Sequence, residues 1–232
     1  MRKTTKTEHQ RLLPHFQHPG ATYFVTSHLY GSIPYDVLKK LKDNRLKIIE
    51  EIKIRNPPDK LKQIYLADRA YFLEYDDWLD RCENSPDYLR DPVVAKIFVD
   101  ALHEYDGKHY RLLGYTILPN HFHILLDFSV QTPNLSVLDL DSYVNLSTSM
   151  GLVKGRSARF SNIHLQRTGH SFWAIEYFDR YIRNYRHFFS AVDYLKNNPV
   201  KAKLCLHWMA HPFTWVREDL KELTLLFPEV LR

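Results

Sequence analysis

His121 and His123 stand at i and i+2 inside an apolar stretch, Tyr115-Thr-Ile-Leu-Pro-Asn-His-Phe-His-Ile-Leu-Leu126, and no other residue types in this chain are better spaced for chemistry. Successive side chains of a β-strand point to opposite faces, so both imidazoles project from the same one. Ile117, Leu118, Phe122, Ile124, Leu125 and Leu126 predict a strand central in a sheet, where buried ring nitrogens need partners. A metal ion is one such partner. A pair of hydrogen-bonded structural histidines is the other.

A second group of candidates follows in Phe188-Phe-Ser-Ala-Val-Asp-Tyr-Leu-Lys-Asn-Asn-Pro199. Phe188, Ala191, Val192 and Leu195 keep the i, i+3, i+4, i+7 spacing of a buried helical face, with Asn184 as N-cap and Pro199 ending the helix. At roughly 100° per residue, His187, Ser190, Tyr194 and Asn198 form a separate stripe beside it. Tyr194 and Asn198 are i, i+4 neighbours, so a phenol and an amide oxygen can meet one small site. The structural alternative makes Tyr194 an amphipathic boundary residue and Asn198 a helix-terminating amide.

The histidine pair preceded by Leu-Pro-Asn, then Leu152-Val-Lys-Gly-Arg-Ser-Ala-Arg-Phe160, Phe172-Trp-Ala-Ile-Glu-Tyr-Phe-Asp-Arg-Tyr-Ile-Arg183 and Tyr194-Leu-Lys-Asn-Asn-Pro-Val-Lys-Ala202 occur in that order. Together they resemble the REP-associated tyrosine transposases, which belong to the HUH single-tyrosine transposases of the insertion-sequence type. The likeness runs from about Leu13 to about Trp215. It implies an α+β fold, a ferredoxin-like antiparallel sheet with helices packed on one face. It implies His121 and His123 as the metal-binding pair, Asn198 in the place of a third metal ligand, and Tyr194 as nucleophile. The implied partner is single-stranded or hairpin DNA of repetitive extragenic palindrome type. In that family the tyrosine takes the 5′ phosphate and releases a 3′ hydroxyl, which can later attack to join strands without ATP. A long segment between residues 34 and 110 departs from compact members, and the resemblance gives it no role.

The residue types make chemical sense without the family. A phenol with a reference pKa of about 10 attacks a phosphodiester poorly at neutral pH unless the phosphorus is made more electrophilic. A divalent cation held by two neutral imidazoles and an amide oxygen has open positions for a phosphate oxygen and acts as Lewis acid and template. Attack by Tyr194 then gives a phosphotyrosine and a free DNA hydroxyl, splitting cleavage and rejoining into two steps. Mixed nitrogen and oxygen ligation suits Mg2+ or Mn2+, whereas a closed structural zinc site would want more cysteine or histidine than Cys82 and Cys205 add. Leu125 stands where a histidine-triad hydrolase would have its third histidine, and no paired His-x-Ser/Thr motifs of two-histidine phosphodiesterases are present.

Charge favours a nucleic-acid partner by its distribution. The chain is net +5, but Lys154, Arg156, Arg159, Arg167, Arg180, Arg183, Arg186, Lys196, Lys201 and Lys203 face only Glu176, Asp179 and Asp193 between residues 150 and 203. That segment is net +7 and the remainder net −2, so positive potential is expected where a phosphate backbone would lie. Phe160, Phe172, Trp173, Tyr177, Phe178, Tyr181, Tyr185, Phe188 and Phe189 are interleaved with it. Some such rings can stack unpaired bases, though most belong to a core. Tyr177, Tyr181 and Tyr185 are rival nucleophiles, but none is followed by the Asn-Pro pair that follows Tyr194. His187, on the Tyr194 stripe, is a possible accessory group for the phenol proton.

The positioning elements follow from the same patterns. Residues 21–31 predict a first strand; residues 35–54 an amphipathic helix with Leu38, Leu41, Ile48 and Ile52 inward; residues 61–80 a partly helical segment. The carboxylates in Tyr75-Asp-Asp-Trp-Leu-Asp80 are expected on a solvated face. Asp91-Pro92 opens a helix as N-cap and first position; residues 109–118 and 122–128 predict adjacent strands, and residues 143–162 a helix containing the unfavourable Gly155. The expected organisation is a mobile arm at 1–12, one catalytic domain at 13–215 with a helical insertion at about 34–108, and a tail at 216–232. The apolar run around the histidines is too short to span a membrane, and two distant cysteines suit a reducing compartment, so a cytoplasmic, nucleoid-associated monomer or homodimer is expected.

Three function classes fit: a metal-dependent single-stranded DNA endonuclease and strand transferase, a catalytically idle DNA-hairpin-binding protein, and a metal-dependent phosphodiesterase using water. Retention of Tyr194, the histidine pair and Asn198 speaks against the second. Trapping a covalent intermediate separates the first from the third.

Overall fold

The computed structural model describes residues 8–10, 14–16, 18–81, 84–131 and 142–220. In chain order its elements are β1 (Glu8–Gln10), β2 (Pro14–Phe16), β3 (Thr22–His28), α1 (Tyr35–Arg55), α2 (Lys60–Arg81), α3 (Pro92–His103), β4 (Arg111–Ile117), β5 (His121–Asp127), α4 (Leu146–His164), β6 (Phe178–Tyr181), α5 (Tyr185–Lys201) and β7 (Thr214–Val216). β1 and β2 pair as a two-stranded ribbon, so residues 8–10 of the expected arm are in a strand. The main sheet runs β6-β3-β5-β4-β7 with every pair antiparallel. The α+β class with an antiparallel sheet is therefore what the chain adopts.

β5 is the central strand, and its two faces explain the layers. Phe122, Ile124 and Leu126 join Tyr23, Val25, Tyr115 and Ile117 in a core closed by α3 and α4 through Phe98, Leu102, Met150 and Val153. Leu125 points the other way, into a core with Phe24, Leu113, Phe72 of α2 and Ala191, Val192 and Leu195 of α5. Helices thus cover both faces, not the single face expected. A strand apolar at successive positions must be shielded on both sides.

α5 rests close against β4. The ladder slips between Leu112 and Gly114, and a Cβ added at Gly114 would meet Leu195 Cδ1 and the Trp215 carbonyl oxygen at 3.1 Å each. Only glycine leaves that approach open.

Helix ends follow their sequence signals. Asp91 accepts from the Val93 amide at 2.8 Å, Asn145 from Thr148 and Asn184 from His187, each as N-cap. Pro199, expected to end α5, lies inside it: the helix runs on to Lys201, because a proline this near the C-terminus removes one amide while Leu195, Asn198 and Pro199 itself are buried. Gly155 does not interrupt α4. In α1, Leu41 and Ile52 are buried, but Ile48 is 46% exposed and not inward. α2 is helical throughout, and it packs along α1 and over the sheet face that carries the histidines.

Candidate active site

β5 presents His121 and His123 on the α5 face, as its two-residue period requires, and both are fully buried. Their pairing partners on β3 are His28 and Thr26. His123 Nδ1 lies 2.7 Å from Thr26 Oγ1, and His121 Nδ1 lies 2.6 Å from Asn120 Oδ1. The Asn120 amide nitrogen donates to the Leu79 carbonyl at 2.8 Å, which fixes its oxygen towards His121. An amide oxygen only accepts, so His121 carries its proton on Nδ1 and aims a bare Nε2 lone pair into the interior.

Asp76 of α2 meets those lone pairs. Its Oδ1 is 3.4 Å from His123 Nε2, and one ligand atom from each of Asp76, His121 and His123 can be chosen within 4.8 Å of the others. All three side chains are buried, and Asp76 Oδ1, His121 Nε2 and His123 Nε2 have no hydrogen-bond partner among the described residues. Burial holds both imidazoles neutral, drawing each down to about 3; His123 beside His121, and Lys201 beside His123, add to it. A carboxylate oxygen and two neutral imidazole nitrogens, buried together without hydrogen-bond partners among the described residues, are a donor set that fits a divalent metal ion.

α5 adds the stripe expected of it. The Tyr194 hydroxyl donates a short hydrogen bond to Asp76 Oδ2, and its ring stands edge-on to His123 with centroids 5.3 Å apart. Burial first, and the Asp76 charge next, push the phenol far above the ordinary tyrosine pKa. Asn198 is buried one turn later, its amide adjoins the phenol, and neither amide atom makes a well-formed hydrogen bond among the described residues. Lys201 follows, with Nζ 2.7 Å from Asp80 Oδ2 and 3.7 Å from Asp76 Oδ2. Asp76 therefore faces the Tyr194 phenol, the Lys201 ammonium and the His123 imidazole with its two oxygens.

The solvated face expected for the Asp76-Asp77-Asp80 cluster is overturned at two of its members. Asp76 is 1% exposed and Asp80 is largely buried on Lys201. The signal is present in the sequence: Phe72, Tyr75, Asp76 and Leu79, the buried residues of α2, follow i, i+3, i+4, i+7. A carboxylate inside such a stripe is either paired or ligating.

The other candidates separate. His187 makes no bond to the phenol; its Nδ1 accepts weakly from the Arg183 amide, and burial with Arg180 and Arg183 nearby draws it down to about 4. Tyr177 is buried against Ser147, whereas Tyr185 is 81% exposed. The basic residues are not one patch around Tyr194. Lys154, Arg156 and Arg159 lie on α4, across the sheet from α5. Lys154 Nζ donates to the Ala174 carbonyl, Arg156 pairs with Glu104 at 2.6 Å, Arg159 lies near the Phe160 ring, and Arg167 lies over Tyr88. On the α5 side, Lys196 lies over Trp208, Lys201 is ion-paired, and Arg186 and Lys203 are exposed near the two ends of the helix. Arg180 and Arg183 flank the Tyr65 ring of α2.

Neither a protein-family model nor a curated protein matches this sequence. Among solved structures the chain is similar to that of a REP-associated tyrosine transposase bound to a REP hairpin, over 89% of this chain and 81% of the other, at 15% identity and a TM-score of 0.42. That likeness is too distant to bear on chemistry, which rests on the residues above. No described helix is long and apolar enough to cross a membrane.

Proposed function

We propose that this protein is a metal-dependent single-stranded DNA endonuclease and strand transferase that works through a covalent phosphotyrosine on Tyr194, acting on hairpin-forming repeat DNA. The single observation that supports it most is the sharing of Asp76: one oxygen accepts the Tyr194 hydrogen bond while the other lies with the Nε2 atoms of His121 and His123. His121, His123 and Asp76 would hold Mg2+ or Mn2+, with the Asn198 amide on the same helix as Tyr194 as the further oxygen donor. Such an ion supplies Lewis-acid polarisation of a phosphate oxygen and a fixed position for the phosphorus.

The chain's own residues do the rest. Asp76 Oδ2 takes the phenol proton as Tyr194 Oη bonds to phosphorus, and the bond from phosphorus to the departing strand hydroxyl breaks, its oxygen being reprotonated from solvent. The phosphoester is conserved on Tyr194, so a strand hydroxyl reverses the step and rejoins DNA. Lys201, tethered by Asp80, offsets negative charge next to Asp76.

The test is a denaturing gel with end-labelled single-stranded hairpin DNA and Mn2+. A protein-DNA adduct is expected for the wild type and none for Tyr194→Phe. Cleavage by the wild type with no adduct would make water the nucleophile and the protein a phosphodiesterase.

A further inference from the structure

A cleft of about 230 Å3 opens beside Tyr194, walled by Phe72 and Arg69 of α2, by Arg180, and by His187 and Ser190 of α5. Arg180 and His187 also wall a second cleft of about 160 Å3, with Tyr65 and Arg183 on its far side. The two clefts share Arg180 and His187 as a common wall, and Tyr194 lines the first. Besides Arg45, three guanidinium-bearing residues line these clefts, Arg69 from α2 and Arg180 and Arg183 from β6 and the turn after it.

Among the described residues, Arg69, Arg180 and Arg183 form no ion pair; Asp68, the carboxylate in the second cleft nearest them on α2, is taken by Arg45 at 2.8 Å. Arg180 Nη2 donates to the Tyr65 hydroxyl at 2.7 Å, and the Arg180 and Arg183 guanidiniums lie 5.1 and 4.9 Å from the Tyr65 ring centre. Stacking on one ring orients two forks that would otherwise repel each other. Burial first, and Arg69 and Arg183 alongside, draw the Arg180 pKa down. His187 stays neutral there, so it contributes a hydrogen-bonding ring and no charge.

We propose that Arg69, Arg180 and Arg183 form a phosphate pocket for the backbone phosphate that neighbours the scissile one in a single DNA strand. This rests on Tyr194 as the attacking residue, because the first cleft opens beside that phenol. Bidentate guanidinium contacts suit a phosphodiester, and the pocket accounts for the helical insertion, since α2 supplies Asp76 to the reacting centre and, about two and three turns earlier, Arg69 and Tyr65 to the strand. A phosphate held there fixes the register in which the next one reaches Tyr194.

The test uses Tyr194→Phe protein, so that binding is read without chemistry, and a fluorescein-labelled single-stranded oligonucleotide containing the cleavage site. Arg69→Ala and Arg183→Gln, both exposed positions, should each weaken binding several-fold and flatten the log-log salt dependence by about 0.7 per lost contact. An oligonucleotide with one uncharged methylphosphonate next to the cleavage site should bind Tyr194→Phe several-fold more weakly, but lose little further affinity for the Arg69→Ala, Arg183→Gln double variant in that background. Unchanged affinity and salt slope in both arginine variants, or methylphosphonate losses equal in the two proteins, would overturn the pocket. Failure to find an adduct with wild-type protein would remove Tyr194 as nucleophile and leave these binding results standing on their own.

Discussion

Tyr194 gives its phenolic hydrogen to Asp76, a residue 118 positions away in a different helix, and this bond ties the two halves of the site together. Asp76 arrives on α2 and Tyr194 on α5, while the histidines lie on the strand between. Each of those arms can be perturbed without the others.

Asp76→Asn keeps the size of the side chain but cannot accept the phenol proton and bind a cation as a carboxylate does. Adduct formation should fall by about 10²- to 10⁴-fold, the usual scale for a lost general base. Single-turnover rates of adduct formation against Mn2+ concentration measure it. A rate within a few-fold of wild type at saturating metal would return Asp76 to a structural role.

Metal binding itself is readable without DNA. Mn2+ should raise the melting temperature, corresponding to about 2.7 kcal/mol at a hundred times its dissociation constant. His121→Ala, His123→Ala and Asp76→Ala should abolish that rise, and Asn198→Ala should reduce it. Because imidazole donors suit Mn2+ better than Mg2+, half-saturation is expected at lower Mn2+. Equal thermal shifts in wild type and the His121→Ala, His123→Ala double variant would place the ion elsewhere.

Asn120 is not itself a candidate ligand, yet through Nδ1 it sets the His121 tautomer. Removing it in Asn120→Ala frees the His121 proton to move to Nε2, and metal affinity should drop about 10- to 100-fold. Asn120→Asp, which still accepts from Nδ1, should retain most of it. Titration calorimetry with Mn2+ separates the two variants; identical affinities would show that the tautomer is set by something else.

Acid should destabilise the fold in a window fixed by the buried rings. His121 and His123 are held at about 3 and His28 at about 4 by burial, against 6.5 for a solvated histidine. Between those values the unfolded chain binds protons that the folded chain does not. Stability is therefore complete above about pH 7 and lost as pH falls from 6.5 towards 3, by up to about 1.4 kcal/mol per pH unit for each ring. Denaturant melts of metal-free protein from pH 7.5 to 4.5 should show the slope, and His123→Ala should flatten it. A flat wild-type profile would mean that the rings are solvated.

Much of the site is legible in the sequence, for reasons of periodicity. A two-residue repeat places His121 and His123 on one strand face, and the four-residue spacing of Tyr194 and Asn198 places both on one side of α5. Asp76 is not, because among Asp77, Asp80 and Glu74 it looks like one more charge on a wet helix; only its place between Phe72, Tyr75 and Leu79 betrays it. Pro199 misleads in the other direction, since the rule that proline ends a helix ignores how little one amide matters in a final buried turn. The division of the basic residues between two faces of the sheet is beyond reach: a run of charge in sequence carries no information on which layer each helix joins.

Gly114 touches neither ion, phenol nor strand, yet its missing methyl meters how deep α5 sinks onto the sheet. Leu195, the side chain that would strike a methyl there, is the immediate neighbour of Tyr194 in the chain. A side chain at position 114 would press on the helix that carries Tyr194 and Asn198 together, while α2 and β5 kept Asp76 and the histidines in place. The seating of α5 is thus set from β4, a strand that supplies no candidate ligand.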